Sequence, residues 1–160
     1  MSQLQVPNKK QEETNQIKNE NGENGNTEQK IYPIDRYEDK IAEAIKNAAI
    51  HVHKSLGPGL LESAYEECLA YTLEKEGWNI KRQHPMPLIF EEVKMDIGYR
   101  LDIMVEEKVI IEIKSVEAIN DVHVAQILTY LKLSGCKLGL LINFNSSKVM
   151  NGFRRIVNKL

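Results

Sequence analysis

RLDIMVEEKVIIEIKSV, residues 100–116, reads as two short strands folded back about a turn of Glu106, Glu107 and Lys108. Val105 and Val109 bracket the turn, so symmetric pairing about Glu107 sets positions that sum to 214 opposite one another. That register puts Asp102 across from Glu112, with Cβ atoms roughly 4.5 to 5.5 Å apart. Directly opposed like charges destabilise a sheet, and these two sit among Leu101, Ile103, Ile111 and Ile113, where burial adds a desolvation cost. A cation between them would remove both penalties. Strand alternation places Lys114 on the face of Glu112, so Asp102, Glu112 and Lys114 converge on one patch.

Carboxylate oxygens suit Mg²⁺ or Mn²⁺, and a main-chain carbonyl, that of Ile113, could complete the donor set beside a phosphate. A metal-held water is then a ready nucleophile, with Lys114 orienting it or offsetting charge on the phosphate. In the same register Arg100 falls opposite Lys114. That pairing means either a small positive spot beside the metal, suited to nucleic-acid phosphate, or a shifted register. The competing reading is an ordinary amphipathic hairpin with a solvated charged face. A D…ExK spacing is common, but here the acid and lysine interrupt a strand too apolar to look merely solvated.

Outward from the hairpin, Ile80 to His84, Pro87 to Phe90, Tyr99 to Val105 and Val109 to Val116 read as strands of an antiparallel meander. A first helix is expected after Asp35 as cap, with Ile41, Ile45, Ala48, Val52 and Leu56 on one face, stopped by Gly57, Pro58 and Gly59. A second helix runs from Leu60 to about Glu76 with Leu61, Ala64, Tyr65, Cys68, Leu69 and Leu73 as its apolar stripe. A third runs from the cap Asn120 to Gly135, and Leu138 to Asn143 reads as a buried inner strand. Residues 152–157 add an edge strand or a short helix. The order implies an α/β fold with a mixed central β-sheet flanked by helices.

Residues 1–34 are rich in Gln, Asn, Glu and Lys, and are expected to form a disordered polar tail because they have too little apolar surface to offset ordering entropy. The domain is expected over residues 35–160. The net charge of -2 argues against a broadly basic surface, so any nucleic-acid contact depends on a local patch or on bound cations. Lys81, Arg82, Arg100, Lys132, Arg154 and Arg155 are the candidate basic contacts. Cys68 and Cys136 lack zinc spacing and read as reduced core residues. With no apolar leader at the N-terminus and no membrane span, a cytoplasmic protein is the simplest expectation.

Two further segments bear on the hairpin. Glu62 lies in the first turn of the second helix, after a glycine-rich loop, where its carboxylate could reach a metal; the helix dipole alone would also favour an acid there. In the third helix His123, Gln126 and Tyr130 share one face. Gln126 could hold the attacking water or a phosphate oxygen, Tyr130 could touch the nucleic-acid backbone, and His123 a phosphate, although a surface histidine explains His123 equally well. Tyr65 reads as core, with its hydroxyl on a polar neighbour. His51 and His53 point to different helix faces and receive no role.

The stretch from about Ile41 to Leu160 resembles the GxxExxY proteins through Gly59, Glu62 and Tyr65. That group is similar to a compact branch of the PD-(D/E)XK nuclease superfamily. The resemblance implies a restriction-endonuclease-like αβββαβ core, with Asp102 as a metal ligand and Glu112 and Lys114 as the (D/E)XK element. It further implies that Glu62 is the helical acid of the RecB-like exonuclease branch and that Gln126 and Tyr130 are its QxxxY element. Leu101 stands where the proline of "PD" would be. The implied activity is Mg²⁺- or Mn²⁺-dependent phosphodiester hydrolysis of DNA, exonucleolytic in that branch. The alternative is a noncatalytic nucleic-acid-binding or protein-interaction module on a nuclease scaffold. A homodimer or protein partner is a third way to supply the substrate grip that a minimal core lacks.

Overall fold

The computed structural model describes residues 36–158, with the backbone alone at Asp96 and Ile97. The expected tail over residues 1–34 and the expected cap Asp35 lie outside the described residues. Two helices, α1 (Tyr37–Leu56) and α2 (Glu62–Lys75), precede three strands, β1 (Ile80–Phe90), β2 (Val93–Val105) and β3 (Val109–Lys114). Helix α3 (Asp121–Ser134), β4 (Leu138–Asn143), a 3₁₀ turn (Val149–Gly152) and β5 (Phe153–Val157) complete the chain. The five strands stand in the order β1-β2-β3-β4-β5. All neighbours are antiparallel except β3 and β4, which run parallel and are joined through α3. The mixed α/β sheet expected from the element order is the sheet observed.

The hairpin register is the expected one: Ile103 pairs with Ile111, Met104 with Ile110 and Val105 with Val109. The turn achieves this with Glu106 and Glu107 both at positive φ, 52° and 55°. Alternation then sends Ile103, Val105, Val109, Ile111 and Ile113 into a core shared with α1 and α2. Met104 and Ile110 face the opposite way, toward Tyr130 and Leu131 of α3. The site residues therefore stand in a sheet covered on both faces.

Several boundaries differ from expectation, each for a local reason. The segment 80–90 is one strand, not two, because β1 is an edge strand and the missing N–H groups of Pro85 and Pro87 need no ladder partner. Strand β2 starts at Val93 and not Tyr99, since Glu91 and Glu92, both at positive φ, form a tight hairpin turn. Helix α2 starts at Glu62 and not Leu60. Leu61 is its cap, with extended backbone (φ -68°, ψ 150°), so it does not share the helical face and is 78% exposed despite its expected place in the stripe. Leu56, the last residue of α1, is exposed as well. Strand β3 ends at Lys114, and Val116 is instead bound at both its N–H and its carbonyl by the side chain of Asn143.

Helix α3 has the expected cap. The Asn120 side chain accepts from the N–H groups of Val122 and His123, and His123 Nδ1 accepts from the Asn120 N–H. The helix lies close to β4 because residue 139 is glycine: a Cβ there would stand 2.8 Å from Ile127 Cδ1. Strand β4 is buried along its whole length, as an inner strand should be. Cys68 and Cys136 are both free thiols. No helix among the described residues is long and apolar enough to cross a membrane.

Candidate active site

The loop between α1 and α2 fixes the first acid. Gly59 has φ +104°, a conformation that a side chain would strain, and the chain reverses through it. The Tyr65 hydroxyl donates to the Gly57 carbonyl (2.6 Å) and accepts from the Leu60 N–H (3.1 Å), while its buried ring stacks on Phe144 at 4.4 Å. The tyrosine is thus core packing with its hydroxyl on the loop, as expected. Glu62 follows at the helix start, and its Oε1 accepts from the Ser115 N–H at 3.0 Å, just beyond Lys114. The Ser115 hydroxyl donates to the Leu60 carbonyl (2.7 Å). The Gly59, Glu62 and Tyr65 spacing therefore anchors the start of α2 to the end of β3.

At Asp102 both ladders of β2 are interrupted. Pairing with β3 stops at Ile103 and Ile111, and the Asp102 carboxylate itself accepts from the Ile113 N–H at 2.8 Å. On the other side, Arg82 pairs with Ile103 and His84 with Leu101, but Gln83, opposite Asp102, is unpaired and has φ +46°. The distortion shifts the phase of alternation. Leu101 joins the α3-side core although Ile103, two residues on, faces α1 and α2. Because β2 and β3 share no backbone pair beyond Ile103, the ladder does not bring Arg100 opposite Lys114 as the symmetric register implied; Arg100 is exposed and pairs with Pro85.

Glu112 is 2% exposed. Its Oε1 accepts from Lys114 Nζ at 2.7 Å, whereas its Oε2 is buried with no partner. Burial and then the nearby Asp102 charge push the Glu112 carboxyl up to about 7 from 4.5, against the pull of Lys114. Asp102 is raised as well, by burial first, which outweighs the Ile113 N–H and Lys114; Glu66 and Glu62 add to the rise. For Lys114, burial acts to lower the pKa, but the bond and charge of Glu112, then Glu62 and Asp102, hold the ammonium above its ordinary value. Asp102, Glu112, Lys114 and Glu62 thus form one electrostatic cluster.

From α3, the Gln126 Nε2 donates to the Tyr130 hydroxyl at 2.8 Å. Tyr130 is 3% exposed and meets Tyr99 edge to face at 5.7 Å. Burial raises the phenol, and the charges of Glu112 and Asp102 add to it, which ties this pair to the acidic cluster. His123 has its Nδ1 engaged in the cap of α3, and no recorded bond joins it to the acids. His53, given no role, is buried with Nε2 2.7 Å from the Ser146 carbonyl.

Two residues of this region, Glu66 and Gln83, escaped the sequence reading. Glu66 is 6% exposed, accepts from Gln83 Nε2 (2.6 Å) and Arg82 Nε (3.2 Å), and acts electrostatically on Asp102. One signal was available: Glu66 lies four residues after Glu62, on the same helical face. Three of the candidate basic contacts are engaged with acids: Lys81 with Glu107, Arg82 with Glu66 and Glu67, and Arg155 with Asp39.

Among the described residues no three His, Cys, Asp or Glu side chains stand so as to enclose a metal ion. A smaller donor set suffices for Mg²⁺, which keeps several waters and takes one or two carboxylates. The unpartnered Glu112 Oε2 beside Asp102 fits that set, since a buried carboxylate oxygen without a donor is costly.

Searches of curated proteins and of solved structures gave no significant match. A family model described as the PD-(D/E)XK nuclease superfamily matches residues 39–156, a span that holds Glu62, Asp102, Glu112, Lys114, Gln126 and Tyr130. The chain belongs to the PD-(D/E)XK nuclease superfamily.

Proposed function

We propose that this chain is a metal-dependent nuclease of the GxxExxY type that hydrolyses DNA phosphodiester bonds, exonucleolytically as in the RecB-like branch. The observation that carries the reading is the buried, unpartnered Glu112 Oε2 beside Asp102, with Lys114 on the other Glu112 oxygen. Asp102, Glu112 and the Ile113 carbonyl would hold Mg²⁺ or Mn²⁺, with Glu62 as the further acid. When bound, the metal supplies a water of lowered pKa and polarises a phosphoryl oxygen.

The chain's own groups do the rest. Lys114, whose ammonium is held protonated by its acidic neighbours, orients the water and offsets charge developing on the phosphate. The Tyr130 hydroxyl holds the Gln126 amide nitrogen, which turns the amide and leaves its carbonyl oxygen to accept from a water. Arg100 and His123 contact phosphate at the rim, His123 through Nε2.

Purified protein should cleave DNA with Mg²⁺ or Mn²⁺, and Lys114→Ala and Asp102→Asn should each lower the rate by about 10²–10³-fold, the scale for removing one electrostatic group. Equal trace activity in wild type and both variants, on single- and double-stranded DNA, rejects catalysis by this site. A second reading, a noncatalytic nucleic-acid-binding or protein-interaction module, is favoured by the lack of a basic surplus, with a net charge of -2 and Lys81, Arg82 and Arg155 engaged with acids. It expects no Mn²⁺ binding that depends on Asp102. A homodimer would supply added substrate grip.

A further inference from the structure

Gln83 adopts φ +46° in the middle of an edge strand, a conformation that costs a residue with a Cβ about 1–3 kcal/mol. The strain is located at one place only along the β1–β2 ladder that faces a site residue, directly opposite Asp102. Asp102 thus lacks a ladder partner on the β1 side, and on the β3 side, where pairing stops at Ile103, its carboxylate accepts from the Ile113 N–H. The Gln83 side chain turns to α2, where Nε2 donates to Glu66 Oε2 at 2.6 Å, while Arg82 donates to Glu66 Oε1 at 3.2 Å. Both oxygens of a buried carboxylate are therefore satisfied by adjacent residues of β1, and that carboxylate lies near enough to act on Asp102.

We infer that Gln83 and Glu66 are positioning residues for the metal site: their hydrogen bond holds the distorted β1 segment to α2, and thereby fixes where the Asp102 carboxylate stands. An ion pair serving only to join α2 to β1 would need Arg82 and Glu66, but not a strained backbone at the residue facing Asp102. The inference rests on the proposed metal site. Partners that orient ligands are typically worth 10–100-fold in metal affinity.

The test separates backbone from side chain. Gln83→Gly keeps the positive φ at no steric cost but removes the Nε2 donor and leaves Glu66 Oε2 unpartnered, so relief of backbone strain and loss of that bond oppose each other and the variant should still fold. Mn²⁺ affinity, read by calorimetric titration of the full chain, should fall by about 10–100-fold in Gln83→Gly and in Glu66→Gln. Gln83→Asn, shorter by one methylene but tolerant of positive φ, should recover less than wild-type affinity and more than glycine. Mn²⁺ affinity within twofold of wild type in a folded Gln83→Gly, with the same result for Glu66→Gln, overturns the inference alone. Failure of wild type to bind Mn²⁺, or binding unchanged by Asp102→Asn, overturns the metal site and this inference with it.

Discussion

Glu112 is the residue whose chemistry is most altered by its surroundings. Its carboxyl is pushed up to about 7 by burial and by Asp102, from 4.5 when free. The folded chain therefore holds that proton more tightly than the unfolded chain does. The resulting stabilisation is fully present below the unfolded pKa and is lost as pH rises through the folded one. The metal-free protein should lose on the order of 3 kcal/mol from this group between about pH 4.5 and 7. Asp102, also raised, works in the same direction from a lower pH. Scanning calorimetry in EDTA should show Tm falling across that window, and the fall should be shallower in Glu112→Gln. Added Mn²⁺ should stabilise most at the alkaline end, because metal competes with the proton for the same oxygens. A fall no steeper in wild type than in Glu112→Gln from pH 4.5 to 7 without metal is incompatible with a carboxyl raised by burial at Glu112.

At the scale of elements, the site is assembled by junctions outside regular secondary structure. Tyr65 fastens the α1–α2 loop through Gly57 and Leu60, Glu62 and Ser115 join the start of α2 to the end of β3, and Asn143 holds Val116. Tyr65→Phe keeps the ring against Phe144 and removes only the hydroxyl, leaving a carbonyl and an N–H of the loop without that partner. The expected loss is about 1–2 kcal/mol of unfolding free energy. Amide exchange should accelerate at Leu60 and Ser115 while the helix α3 amides keep their protection. Uniform acceleration across the domain would mean that the hydroxyl supports the whole core and not the loop that carries Glu62.

For the whole molecule, the decisive fact is the lack of a basic surplus. The net charge is -2, and Lys81, Arg82 and Arg155 are engaged with acids of the fold. With Arg100 and His123 as the proposed phosphate contacts, oligonucleotide affinity should fall about tenfold between 50 and 200 mM salt, against the 10³–10⁵ of a broadly basic binder. Anisotropy titrations with a labelled strand in Ca²⁺ would measure the slope; a loss above 10³ would mean many more phosphate contacts than these two. The same contrast of near and far interactions separates what was legible in the sequence from what was not. The bracketing valines and the period-two alternation sufficed for the pairing of Ile103 with Ile111, the burial of Glu112 among isoleucines and the approach of Lys114 to it. The cap of α3 and the inner strand β4 were legible because each is encoded within one segment, and the mixed sheet followed from the order of the elements. Leu61 was misplaced because a residue one position outside a helix loses the helical period. The interruption at Asp102, the strained Gln83 and the buried Glu66 were decided by tertiary structure alone. They arise where β1, β2 and α2 meet, and hydrogen bonds among segments that far apart in the chain leave no periodic trace in any one of them.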